Sequence, residues 1–266
     1  GTPLIHETKP GNGFKAAGRE LADLIAEKKP RAVIMNSPSN PTGGVYSEAE
    51  LRDVHEACKK ENVFIISDEI YSTLVYDGKK HFSALHLTGR VEDDICVING
   101  MSKSFAMTGW RIGWAVAAPG IIKAIAKVSA QTTSCAPSFI QKGCAEVLKD
   151  HPGEINKEWK EKLRRRRDRL VDLVSRIDGV RCDKPEGAFY VWVDVRGLMK
   201  RSLPDGTELG SSGRLSAWLI DDCALVSVPG SAFGCEGFLR FSFAISTKDI
   251  EEGVERFAGS VKKLTR

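Results

Sequence analysis

No apolar run in this chain approaches the roughly 20 residues that cross a bilayer, and no signal peptide opens it. Metal-ligand spacing is missing too: there is no CxxC, and the five histidines are scattered. The seven cysteines are an odd number, which excludes a fully paired disulfide framework. Cys58, Cys96, Cys144 and Cys223 sit in apolar or helical surroundings, so the expected compartment is the reducing cytoplasm. A formal charge of only +4 gives no electrostatic reason to expect nucleic acid or a membrane as partner. Repeats and low-complexity tracts are absent as well. The chain starts Gly1-Thr2-Pro3-Leu4-Ile5, without an initiator Met and with a strand-like run under way, which reads as entry in mid-domain.

What is present is the composition of a soluble globular protein, 42% hydrophobic and 28% charged. The 266 residues suffice for a core that encloses a cofactor. Leu21, Leu24 and Ile25 predict a short helix, and residues 32–35 a strand. The loop 36–44 leads into Ser47-Glu48-Ala49-Glu50, a capping box, after which Leu51, Val54 and Cys58 continue a buried stripe. Further strands are predicted at 63–66, 95–98 and 112–117. That alternation describes a mostly parallel sheet covered by helices. After Pro119 the pattern turns helical, with one long helix over 154–177 carrying Trp159, Leu163, Leu170, Val174 and Ile177 on a stripe. Strands at 188–194, 224–228 and 238–243 and a closing helix from about Lys248 complete the chain. The expected class is α/β. A three-layer, mostly parallel sheet domain covers 1–150 and a smaller α+β domain 151–266, divided near the breakers His151-Pro152-Gly153.

Polar residues gather just past the strand ends, where open α/β sheets bind ligands. Asp68 follows an apolar strand and, taken alone, reads as a turn or cap acid. Lys103, in Asn99-Gly100-Met101-Ser102-Lys103-Ser104, reads alone as a solvated loop lysine. Arg111 enters the apolar run Ile112-Gly113-Trp114, where it is costly unless an anion pairs with it. Singly, none of these identifies a chemistry.

Taken together they do. The segments Asn40-Pro41-Thr42-Gly43, Ser67-Asp68-Glu69-Ile70-Tyr71, Ser102-Lys103, Gly109-Trp110-Arg111-Ile112-Gly113 and Phe238-Leu239-Arg240-Phe241-Ser242 occur in one order and spacing. In these the chain resembles the class I/II aminotransferases of the aspartate aminotransferase superfamily, over essentially its whole length. The resemblance implies a fold-type-I enzyme of amino-acid metabolism that uses pyridoxal 5'-phosphate. On it, Lys103 would carry the cofactor as a Schiff base and, once released, move the substrate's proton. Asp68 would pair with the pyridine nitrogen, while Asn40 and Tyr71 would hydrogen-bond the phenolic oxygen. Ser102 and Arg111 would bind the phosphate, and Arg240, with Asn40, the substrate α-carboxylate. The implied reaction exchanges an amino group between an L-amino acid and a 2-keto acid by a ping-pong cycle, in a homodimer, with no metal. Family members also carry an N-terminal portion that this chain lacks, so the chain is expected to be part of a longer enzyme. The residues leave two alternatives open: a C–S β-lyase on the same scaffold, and a pyridoxal-phosphate-sensing domain of a transcriptional regulator.

Other features receive plainer expectations. Arg164-Arg165-Arg166-Arg167 is expected as a solvated helix face near Glu158 and Glu161. Trp110 and Trp114 are expected to pack the core. His55, His81 and His86 show no ligand spacing or partner and are expected as surface or cap residues. Phe189, in Gly187-Ala188-Phe189-Tyr190, either lines the substrate pocket or packs.

Overall fold

Strands β1 (Ala32–Asn36), β2 (Phe64–Asp68) and β3 (Ile95–Gly100) run parallel in that order, and β4 (Gly113–Val116) joins β3 antiparallel. The computed structural model describes residues 1–16, 18–88, 94–150 and 157–265. Two units are distinguished within it. One comprises Gly1–Ser39, Gly44–Lys157 and Glu186–Ala188; the other comprises Asn40–Gly43, Glu158–Pro185 and Phe189–Arg266. The breakers at 151–153 lie outside the described residues.

In the first unit, the register aligns Val33, Ile65 and Ile95 in one row and Met35, Ser67 and Val97 in the next. Side chains alternate along a strand, so both rows face the same side. Helices α1 (Gly18–Lys28) and α2 (Glu48–Lys60) cover that side. Leu21, Ile25, Leu51, Val54 and Cys58 form one core with Met35, Ile65, Ile95 and Val97. Each such aliphatic side chain, fully buried, contributes about 1.5–3 kcal/mol. On the opposite face Ile34 remains 75% exposed and Ile98 41%. Parallel strands bring their C-terminal ends to one edge, which places Asp68 and the Gly100–Ser104 segment there together.

The predicted capping box is present. Ser47 Oγ accepts from the Glu50 amide, and the Glu50 carboxylate accepts from the Ser47 amide at 2.8 Å. Two otherwise orphaned donors at the start of α2 are thereby satisfied. Ser47→Ala is expected to lower the unfolding free energy by about 1 kcal/mol, read as a shift of the denaturation midpoint at unchanged slope. The unit continues with α3 (Met101–Ser104), α4 (Pro119–Thr132) and α5 (Ser138–Asp150). Helix α4 buries no side chain and α5 only Cys144.

The second unit is built on an antiparallel sheet, β5 (Arg181–Cys182), β6 (Tyr190–Asp194), β8 (Phe238–Ser242) and β7 (Val228–Pro229) in spatial order. With it go α6 (Lys157–Val174), α7 (Ser212–Cys223) and α8 (Thr247–Lys263). Its buried residues include Leu163, Leu170 and Val174 from α6, Leu215 and Leu219 from α7, and Phe257 from α8. Two expectations are corrected here. Of the run 224–228 only Val228 is in a strand: Ala224 caps α7 in the left-handed region at φ 52°, its amide donating to the Ile220 carbonyl and that of Leu225 to the Leu219 carbonyl. Strand β7 starts only at Val228, and Pro229 has no amide to extend the ladder. The arginine run is not uniformly solvated either. Arg164 and Arg165 pair with Glu161, but Arg167 is fully buried, bonded to Asp168 and, at 3.0 Å, to the Pro185 carbonyl. It falls four residues after Leu163 and three before Leu170, on the apolar stripe itself. Among the described residues no helix is long and apolar enough to cross a membrane.

Candidate active site

At the C-terminal edge of the first unit's sheet, Asp68 ends β2 level with Asn36 of β1 and Ile98 of β3. Its Oδ1 accepts the Ile70 amide at 3.1 Å. Burial pushes the carboxyl above its ordinary range, the neighbouring Glu69 charge adds to this, and the Ile70 bond only partly opposes them. Tyr71, three residues on, is 4% exposed. Ser102 and Lys103 sit half-buried in the single turn α3 after β3, and Lys103 Nζ lies 6.0 Å from the centre of the Tyr71 ring. The turn requires glycine at position 100, because a Cβ there would come within 2.9 Å of the Ile112 carbonyl just before β4.

Arg111 departs from the sequence expectation. It precedes β4 rather than entering it, adopts φ 53°, is exposed, and donates from Nη1 to the Thr108 carbonyl at 3.0 Å. The strand begins two residues later, so no buried charge arises.

The second unit holds the remaining two candidates. Arg240, in β8, donates from Nη1 to Asn40 Oδ1 at 2.9 Å, a contact across 200 positions of sequence. Its guanidinium carbon lies 4.4 Å from the Tyr190 ring centre and 5.3 Å from that of Phe233. Phe189 is half-buried with its ring 4.6 Å from that of Tyr190.

One cluster went unrecognised in the sequence. Glu69 is 3% exposed, and its carboxylate accepts from the Ser67 hydroxyl at 3.0 Å and the Ala84 amide at 2.9 Å. Its other oxygen meets His81 Nε2 at 2.9 Å. Burial alone would raise the Glu69 pKa. The His81 hydrogen bond and charge, with the Ala84 amide and Ser83 hydroxyl, outweigh burial and hold it below 4.5. Its contribution to stability is therefore complete above that ordinary value and is lost as pH falls through the depressed folded-state pKa. Glu69→Gln keeps an acceptor for Ser67 and Ala84 but loses the charged oxygen that meets His81 Nε2. It is expected to cost about 1.5–3 kcal/mol at neutral pH, with the difference from the parent shrinking in acid along a pH–stability profile.

His81 is thus a partly buried partner of Glu69 rather than a surface residue. His55 is likewise 4% exposed on the inner stripe of α2, with Nε2 3.0 Å from Asp94 Oδ2. Of these three histidines only His86 is exposed, its ring against Phe82. The two tryptophans are also corrected: Trp110 is 44% exposed and Trp114 37%. Among the described residues β4, which holds Trp114, has β3 as its one strand neighbour, and Trp110 lies in the turn before it, so hydrophobic character there does not secure burial.

The family model for aminotransferases of class I and II matches residues 3–257. Over 266 residues the chain is 36% identical to the aspartate aminotransferase of Rhizobium meliloti (strain 1021), covering 100% of this chain and 64% of that protein. Over 265 residues it is 36% identical to a probable aspartate/prephenate aminotransferase of Aquifex aeolicus (strain VF5), covering 99% and 65%. The crystal structure of the aspartate aminotransferase from Rhizobium meliloti matches with a TM-score of 0.90 at 36% identity, over 99% of this chain and 66% of that one. The α/β fold with its mostly parallel sheet is shared with that enzyme. The chain spans just under two thirds of the length of these relatives.

Proposed function

Because the chain belongs to the class I and II aminotransferases, we propose that it supplies the lysine-bearing part of a pyridoxal 5'-phosphate-dependent enzyme exchanging an amino group between an L-amino acid and a 2-keto acid. The observation that carries the reading is Lys103 beside Tyr71 at the strand edge that also ends in Asp68. The donor set suits the cofactor. An acid whose charge is disfavoured by burial stabilises a cationic N–H placed against it, as a protonated pyridine would be. The exposed Arg111 guanidinium, left-handed at the turn before β4, suits a phosphate.

When bound, the cofactor supplies an electron sink for the carbanion left as the substrate Cα loses its proton. Asp68 would keep the ring nitrogen protonated, Tyr71 and Asn40 would orient the ring through its phenolic oxygen, and Ser102 and Arg111 would hold the phosphate. Lys103 would anchor the cofactor at rest, and its freed Nζ would move the proton between the substrate Cα and the cofactor's C4′ within each half-reaction. Arg240 grips the α-carboxylate, with Asn40 fixing the guanidinium. A homodimer is part of the proposal, supported by membership of the family. So is a cytoplasmic location, supported by seven free cysteines.

The relatives' names make aspartate the first amino acid to try. The full-length protein with L-aspartate and 2-oxoglutarate is expected to form oxaloacetate and glutamate in equal amounts, with parallel initial-rate lines. Pyruvate and ammonia released from a cysteine thioether without any keto acid would instead mark a lyase.

A further inference from the structure

The surroundings of Arg240 assign work to two residues with no role so far. Strand β6 pairs with β8 so that Trp192 faces Arg240 and Tyr190 faces Ser242. Tyr190 is therefore the diagonal neighbour of Arg240 on the same sheet face, within reach of a long side chain. Its ring lies against the guanidinium at 4.4 Å, while Phe233, from the turn after β7, lies at 5.3 Å. Phe233 is itself fixed: its ring meets Trp192 edge-on at 5.5 Å and 90°, and Trp192 stacks on Phe238 at 5.3 Å and 3°. Among the described residues no carboxylate pairs with Arg240.

An arginine with aromatic rings for neighbours and no acid is held in a particular way. The rings attract the cation through their faces without using its N–H groups. A structural carboxylate would occupy the very donors a ligand needs, and displacing it would cost affinity. Here Asn40 takes one Nη1 hydrogen, and the other donors stay in the guanidinium plane. A ligand must meet that plane edge-on, which suits the flat, two-oxygen fork of a carboxylate.

We propose that Tyr190 and Phe233 are positioning residues for Arg240, fixing its guanidinium plane so that it presents a forked edge to the carboxylate of the substrate. The proposal rests on the reading of Arg240 as the carboxylate grip. Lysine would not serve in its place, since a point charge has no plane to be fixed. The role is assigned to the ring face of Tyr190, which is what lies against the guanidinium.

The test titrates maleate, a dicarboxylate without an amine to react, into the full-length cofactor-loaded protein by calorimetry, alongside steady-state kinetics. Arg240→Leu serves as the reference. Tyr190→Leu is expected to weaken maleate about 3- to 30-fold and to raise KM by a similar factor with kcat little changed. Tyr190→Phe is expected to restore parental binding, which a role in folding through the hydroxyl would not. If Tyr190→Leu does not fold, the partly exposed Phe233→Leu is read in the same way, with the same sign expected. Maleate affinity unchanged in the folded Leu variants, while Arg240→Leu weakens it, overturns the positioning role alone. Maleate affinity unchanged in Arg240→Leu overturns the carboxylate grip on which the proposal stands.

Discussion

Lys103→Ala is expected to lower turnover on the order of 10⁴-fold, while leaving the folded protein intact. The size follows from two functions lost together: the covalent hold on the cofactor and the proton transfer at the substrate Cα. Residues that act as a unit in this way leave little activity when one is removed. Folding should survive, because Lys103 is half-buried on a single turn after β3 and the core below it is made by other side chains. Non-covalent cofactor binding should persist through Asp68, Tyr71, Ser102 and Arg111. Lys103→Arg sharpens the test. It keeps the positive charge, but arginine stays protonated and neither attacks a carbonyl nor accepts a proton at neutral pH. It is expected to be as inactive as the alanine variant. Substantial activity in the arginine variant would show that Lys103 acts only as a charge.

Arg240→Ala is expected to lower kcat/KM by about 2–5 kcal/mol, roughly 30- to several-thousand-fold. The loss should fall mainly on KM, because the carboxylate is gripped alike before and during the chemistry. Arg240→Lys should recover little of it, lacking the fork and the stacking on Tyr190. Cofactor absorbance should change little in either variant, since the covalent link and the charge at the ring nitrogen are assigned to Lys103 and Asp68 rather than to Arg240. Unaltered amino-acid affinity in Arg240→Ala would remove the carboxylate assignment while leaving that of Lys103 standing.

The parts of the fold legible in the sequence are those set by local rules. Ser47 and Glu50 are three residues apart, and the cap they form depends on nothing distant. The parallel strands were visible as short apolar runs ending in polar residues. The features that escaped were tertiary. The two-residue period of β2 continues through Ile65, Ser67 and Glu69, which puts Glu69 on the helix-covered face and demands a partner. That signal would have found the acid, but not His81 twelve residues away. Likewise the three- and four-residue spacing of Leu163, Arg167, Leu170 and Val174 marks Arg167 as inward. The eye is drawn instead to four consecutive arginines. Tyr190 and Phe233 around Arg240 had no sequence signal, because the pairing of β6 with β8 sets which of their residues share a face. The exposure of Trp114 was equally hidden, since hydrophobicity does not say which strand lies at an edge.

The most direct test of the central claim is chemical. The full-length protein is incubated with pyridoxal 5'-phosphate, reduced with borohydride, and examined by intact mass and peptide mapping. A single reduced adduct on Lys103, absent from Lys103→Ala, is the predicted result. An adduct on another lysine, or none on a folded full-length protein, would contradict the assignment of Lys103 as the residue that carries the cofactor.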